Sequence, residues 1–211
     1  MQKIFILNNM KVEGVCNIPL LGIEFLPQTV DLRHYDALLF TSKNAIYSLN
    51  SFDKTWKTIP SYAIANKTKI VIEKEGGIVN FVGKSGHGDD FAQELKSILK
   101  NKKVLYIRAK KVVSNLVQIL QDNNIDIDEL VTYQTKCNVC EKKIDIPKNS
   151  VIIFSSPSTI KCFFSQYTWD ISYKAIVIGK TTASYLPESI PYIVSPTQSI
   201  EDCIQTAKKY T

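Results

Sequence analysis

Apolar residues in this chain come in short runs. Each run breaks off in a small polar loop, and apolar positions at helical spacing usually follow. Residues 3–7 (KIFIL), 38–40 (LLF), 62–65 (YAIA), 78–82 (IVNFV), 103–108 (KVLYIR) and 192–194 (YIV) read as strands. Helices are predicted over 67–75, 89–100, 113–123 and 199–210, with inward faces that include Phe91 and Leu95, Leu116 and Leu120, and Cys203 and Ile204. Gly76 and Gly77 stop the first of these, where a positive φ is needed. Residues 31–35 give a short helical turn, and Pro187 ends a short helix that begins in GKTTASYLP. Residues 18–26 (IPLLGIEFL) and 127–135 (IDELVTYQT) read as extended segments, whereas 8–17 is too short and too interrupted by Gly14 for a helix.

One unit of strand, polar loop and amphipathic helix occurs twice. ALLFTSKNAIYSL at 37–49 matches VIIFSSPSTIKCFF at 151–164, with Phe40 on Phe154 (154 − 40 = 114) and Ser42 on Ser156. At the same offset YAIANKT, ending at Thr68, falls on IVIGKTT, ending at Thr182. KVLYIRAKK at Lys103 likewise repeats KIFILNNMK at Lys3, 100 residues earlier (103 − 3 = 100). Such units build parallel α/β sheets, whose ligands lie beyond the carboxyl ends of the strands. The fold class is therefore α/β with two similar flavodoxin- or Rossmann-like domains. The repeats alone also fit a simple tandem divided near residue 100.

Composition narrows the function classes. Of 211 residues, 45% are hydrophobic and 22% charged, and no apolar run approaches the ~20 residues that span a bilayer. The start MQKIFILNNM is too weakly apolar for a secretory signal, so a cytoplasmic protein is expected. Five Cys form no framework spacing, and Cys137 and Cys140, although spaced CxxC, read as ordinary thiols in a reducing compartment. His34 and His87 stand apart from other metal-ligand types, so no metal site is expected. The net charge of +6 comes mainly from scattered Lys, without the basic stripe or aromatic platform of a nucleic-acid binder. GKS at 83–85 lacks the earlier glycine of a phosphate loop, because Ile78 stands at that position.

Small hydroxyl residues recur where strands give way to helices: Thr41, Ser42 and Thr68 in one half, and Ser155, Ser156, Ser158, Thr181 and Thr182 in the other. Hydroxyls and free backbone N–H groups at helix starts hold anions, although the same residues also serve as plain N-caps. Their duplication points to a binding site for a ligand with several carboxylates or phosphates.

FTSKNAI, YAIANKT, KVLYIRAK, LVTYQT, FSSPSTI and IGKTTASYL, in that order over nearly the whole chain, resemble uroporphyrinogen-III synthases. The resemblance implies two α/β domains joined by a two-stranded linker, with the active site in a cleft. One domain would be discontinuous (1–21 and 136–211) and the other would span 24–133, with linker strands at about 22–26 and 131–135. It further implies a cytoplasmic, monomeric lyase without metal or cofactor. Its substrate would be hydroxymethylbilane, which loses water and closes into uroporphyrinogen III with the last ring inverted; nucleic acid and membranes are not expected partners. By the same resemblance Tyr133 is the proton donor to the leaving hydroxyl. Thr41, Ser42, Asn44, Thr68, Arg108, Ser155, Ser156, Ser158, Lys180, Thr181 and Thr182 would face the substrate. Two departures stand out: the helix expected after the first strand is nearly missing, and Ala65 replaces the usual Gly, with Lys67 and Lys69 nearby. The alternative is a non-catalytic two-domain binding module for a polyanionic small molecule.

Overall fold

The apolar runs become strands covered on both faces. The computed structural model describes residues 3–8, 12–139 and 143–210. In chain order the elements are β1 (Ile4–Ile6), β2 (Val15–Asn17), β3 (Leu21–Phe25), β4 (Ala37–Phe40), α1 (Lys43–Phe52), β5 (Ser61–Ala63), α2 (Asn66–Lys74), β6 (Val79–Val82), α3 (Gly88–Leu95), β7 (Lys103–Ala109), α4 (Leu116–Asp122) and β8 (Asp126–Cys137). There follow β9 (Val151–Phe154), α5 (Pro157–Phe164), β10 (Lys174–Val177), α6 (Lys180–Ala183), β11 (Tyr192–Val194) and α7 (Ile200–Lys208). The chain divides into two compact units, Met1–Gly22 with Lys136–Thr211, and Ile23–Thr135.

The first unit holds a five-stranded sheet in the order β11-β10-β9-β1-β2, parallel throughout. Alternation sends Phe5, Leu7, Ile152 and Phe154 to one face, against Ile160 and Phe163 of α5. Ile4, Ile6, Ile153 and Ile176 go to the other, against Cys203, Ile204 and Ala207 of α7. Burial on both faces is why these strands read as continuous apolar runs instead of alternating ones. The region where the sequence offers no helix supplies β2 instead. Its turn uses Gly14 at φ 74°, and β2 pairs in parallel with β1. Asn9, Met10 and Lys11 of that segment lie outside the described residues.

The second unit holds a six-stranded sheet, β3-β8-β7-β4-β5-β6. The pairs from β8 through β6 are parallel. Leu39, Tyr62 and Tyr106 pack under α3 and α4, while Leu38, Phe40, Leu105 and Ile107 pack against Ile46 and Leu49 of α1 and against Trp56. Both α3 and α4 are shorter than their apolar periodicity suggests; the chain leaves α3 at Leu95 and enters α4 only at Leu116. Gly76 takes the positive φ of 85° that ends α2, but Gly77 does not. Glycine is needed at 77 for space, since a Cβ there would fall within the Trp56 ring. The N–H of Leu26 donates to the Thr132 carbonyl (2.7 Å) and that of Asn138 to the Leu20 carbonyl (2.9 Å), so β3 and β8 run antiparallel.

Read from its edge, β11-β10-β9-β1-β2 has the same arrangement as β6-β5-β4-β7-β8. The 114-residue offset carries β4 onto β9, the start of α1 onto that of α5, and the start of α2 onto that of α6.

Cys137 is not an ordinary thiol. It is disulfide-bonded to Cys162 of α5, with the two Cα atoms 5.2 Å apart. The reading of unpaired thiols failed because the end of β8 comes beside α5, a contact between positions 25 residues apart that spacing does not reveal. Cys140 lies outside the described residues. Closing a loop of this length stabilises a fold by about 2–4 kcal/mol. Adding a reductant should therefore lower the midpoint of denaturant unfolding, while Cys162→Ala should unfold alike with and without it; a wild-type midpoint that ignores the reductant would contradict the bridge.

Candidate functional site

In the second unit the carboxyl ends of β4, β7 and β8 gather hydroxyl groups. Ser42 is the N-cap of α1, its Oγ accepting from the Asn44 N–H at 3.2 Å. A hydroxyl that accepts this way keeps its own proton free to donate. The Thr41 hydroxyl shares a 2.8 Å hydrogen bond with the Tyr106 phenol, which is buried on β7. Tyr106 drew no notice in the sequence because it reads as one more core residue within KVLYIR. Its register opposite Leu39 is what puts its hydroxyl beside the end of β4.

Tyr133 stands next to this pair on β8 and is 7% exposed. Burial pushes its phenol pKa up, and the Ser42 hydroxyl beside it offsets part of the rise. The backbone around Tyr133 is irregular: Arg108 pairs with Val131 but Ala109 pairs with Tyr133, so Thr132 is the extra residue of a bulge. A bulge re-aims the side chains that follow it. Here it directs Tyr133 into the core face with Phe40 and Ile107. Both sides of the bulge are fixed. The Thr132 carbonyl accepts from Leu26 and from the Ser48 hydroxyl, and the Tyr133 carbonyl accepts from Lys110 at 2.8 Å. Nothing in the sequence marks this bulge, since it exists only in the pairing of two strands.

Arg108 is half-buried, and each nitrogen of its guanidinium has a hydrogen-bond partner. It pairs with Glu129 on the neighbouring strand and donates to the Ala109 carbonyl at 3.1 Å and the Lys110 carbonyl at 3.3 Å. Its position is that of a brace for the loop after β7. Thr68 is buried in the first turn of α2, its N–H donating to the Ala65 carbonyl. Ala65 itself sits at φ −161°, extended backbone open to any residue, so its presence in place of Gly strains nothing.

The first unit repeats the pattern with its own residues. Ser156 caps α5 in a reciprocal box with Thr159: the Ser156 Oγ accepts from the Thr159 N–H, and the Thr159 Oγ1 from the Ser156 N–H. Pro157 starts the helix, where a missing N–H costs nothing. Ser155 is half-buried and Ser158 exposed. In α6, Lys180 and Thr181 are exposed and Thr182 is buried, with its N–H on the Gly179 carbonyl at 3.0 Å, as Thr68 is on Ala65. Among the described residues no group of His, Cys, Asp and Glu could hold a metal ion, and no helix is long and apolar enough to cross a membrane.

Comparison with known proteins gives the family and the fold. The family model described as HEM4, uroporphyrinogen-III synthase HemD, matches residues 13–205. A uroporphyrinogen-III synthetase structure from Helicobacter pylori 26695 superposes with a TM-score of 0.80 at 29% identity, over 100% of both chains. A mutant uroporphyrinogen III synthase from the extremely thermophilic bacterium Thermus thermophilus, 13% identical over 100% of this chain and 98% of its own, shares the fold at a TM-score of 0.50. A search of curated proteins finds no match.

Proposed function

The chain belongs to the uroporphyrinogen-III synthase family, and from that premise we propose which of its residues hold the substrate and move the proton. The activity is that of a lyase that cyclises hydroxymethylbilane. The family match does not favour the alternative of a binding module without chemistry.

In this reading Tyr133 donates its phenolic proton to the hydroxyl that departs as water. The observation that carries it is a buried phenol, kept protonated by burial, with the Ser42 hydroxyl beside it at the carboxyl end of a parallel sheet. A general acid must hold its proton at working pH, and this one does. Thr41, Ser42, Asn44 and Thr68 on one sheet edge, and Ser155, Ser156, Ser158, Lys180, Thr181 and Thr182 on the other, supply donors for the substrate's carboxylates. Arg108 acts through the loop it braces.

The two compact units are taken as the two domains, the first discontinuous and flavodoxin-like in strand order, with β3 and β8 as linker strands. The enzyme is taken as a monomer that uses no metal or cofactor. A cytoplasmic setting suits a biosynthetic family, although the Cys137–Cys162 bridge argues the other way, because reducing compartments keep thiols apart. Alkylation of protein trapped at lysis decides between them.

Ser158 and Thr181 test the hydroxyl rims cleanly. Both are exposed, and neither hydroxyl makes a hydrogen bond among the described residues. The double variant Ser158→Ala with Thr181→Ala should keep its unfolding temperature and raise KM by about tenfold or more, the worth of a hydrogen bond to a charged group. An unchanged KM would remove these hydroxyls from the binding site.

A further inference from the structure

We propose that Lys43, Lys67, Lys84, Lys110 and Lys111 form a cationic crescent along the carboxyl edge of the six-stranded sheet, and that it receives several carboxylates of the linear tetrapyrrole. The proposal rests on the synthase reading above and adds to it the residues that set affinity for a polyanion.

The placement follows from topology. Strands β7, β4, β5 and β6 are consecutive neighbours and parallel, so all four loops leave the same edge. Lys110 and Lys111 follow β7, Lys43 follows β4, Lys67 follows β5 and Lys84 follows β6. Neighbouring strands lie about 4.8 Å apart, so the bases of the four loops fall within about 15 Å. All five lysines are exposed, and among the described residues none is in an ion pair. Of the carboxylates near this edge, Glu129 is neutralised by Arg108. Asp89 and Glu94 accept from neutral amides, the Asn115 N–H and Nδ2 and the Lys84 backbone N–H, hydrogen bonds that do not cancel a carboxylate's charge. With exposed Asp90 they set three acids against five lysines, which leaves the edge net positive. Arg108 also holds the Lys110 carbonyl, which fixes the loop bearing the last two lysines.

The other sheet provides an internal comparison. At the 114-residue offset, Lys43, Lys67 and Lys84 fall on Pro157, Thr181 and Gln198, all neutral. In its loops 155–158, 178–182 and 195–199, Lys180 is the one cation. At these three loops the two copies of the unit have thus diverged: both edges carry hydroxyl donors, and that of the six-stranded sheet adds long-reach charge. Flexible ammonium groups attract a polyanion without fixing its pose, and such attraction is screened by salt.

The test is steady-state kinetics of the full chain with hydroxymethylbilane at low and high ionic strength. Two variants are compared with wild type. One carries Lys→Gln at 43, 67, 84, 110 and 111; the other carries Lys→Gln at Lys54, Lys96, Lys100, Lys148 and Lys209, which are exposed and lie outside these loops. The crescent variant should raise KM about 10- to 100-fold at low salt, as the sum of several modest exposed ion pairs. Its KM should barely respond to added salt, type III product should persist, and Lys→Arg at the same five positions should restore the wild-type KM. A crescent variant with wild-type KM and salt response overturns the proposal, as does a control variant impaired to the same degree. These outcomes are distinct from a failure of the synthase reading, in which wild type itself makes no type III product and the crescent falls with it.

Discussion

Tyr133→Phe should lower kcat by about 10²–10⁴-fold, the usual contribution of one positioned general acid, with KM changed by less than about threefold. Phenylalanine keeps the ring that packs with Phe40 and Ile107 and removes only the hydroxyl. A merely structural tyrosine would show the reverse: a lower unfolding temperature and an unchanged kcat. The pH dependence follows from the same burial. The phenol is raised above its ordinary value of about 10, so the protonated, active form persists through neutral and mildly alkaline pH. Activity should be flat there and fall as pH rises through the raised pKa. Stability has the same sign. The neutral forms of Tyr106 and Tyr133 are favoured by folding, so their contribution is full below about pH 10 and is lost above it. An alkaline limb of activity that titrated near neutrality would point to a different proton donor.

The second large effect is on stability. Phe154 is fully buried at the end of β9, with ring centroids 5.5 Å from Phe163 and 6.4 Å from Trp169. Phe163 in turn stacks on Tyr167 and meets Phe164, so Phe154 anchors one edge of an aromatic cluster. Phe154→Ala removes the ring and leaves a cavity that α5 cannot close while Cys162 ties that helix to Cys137. The expected cost is about 3–5 kcal/mol, or a fall of on the order of 10 °C in unfolding temperature. Ser155 and Ser156 follow directly in the chain, so the surviving folded protein should also bind substrate more weakly. A cost below about 1 kcal/mol would mean that the cluster is loosely packed.

How much of this was legible in the sequence depends on whether the signal is local. Apolar runs such as ALLF and VIIF, and the polar loops that end them, are local. The strands, their parallel packing and the N-caps at Ser42 and Ser156 could therefore be read directly, and so could the 114-residue repeat. What needs two strands at once could not. The Thr132 bulge that aims Tyr133 exists only in the register of β7 against β8. Tyr106 gains its partner Thr41 only when β4 and β7 are side by side. Arg108 reads as a free cation until Glu129 appears on the next strand. Cys137 and Cys162 pair across 25 residues, where the CxxC spacing had drawn attention to a different neighbour. β2 went unread for another reason: that residues 8–17 offer no helix was visible, but the short parallel strand within them is three half-buried residues with no periodicity to announce it.

The central claim is that this chain turns hydroxymethylbilane into the inverted, type III macrocycle. The direct measurement is the isomer composition of the cyclised product, oxidised and separated, from reactions with and without the purified full-length protein. The account predicts predominantly type III product, formed faster than the spontaneous closure and lost in Tyr133→Phe. Type I product alone, at the spontaneous rate, would contradict it and leave two α/β units that hold a polyanion without acting on it.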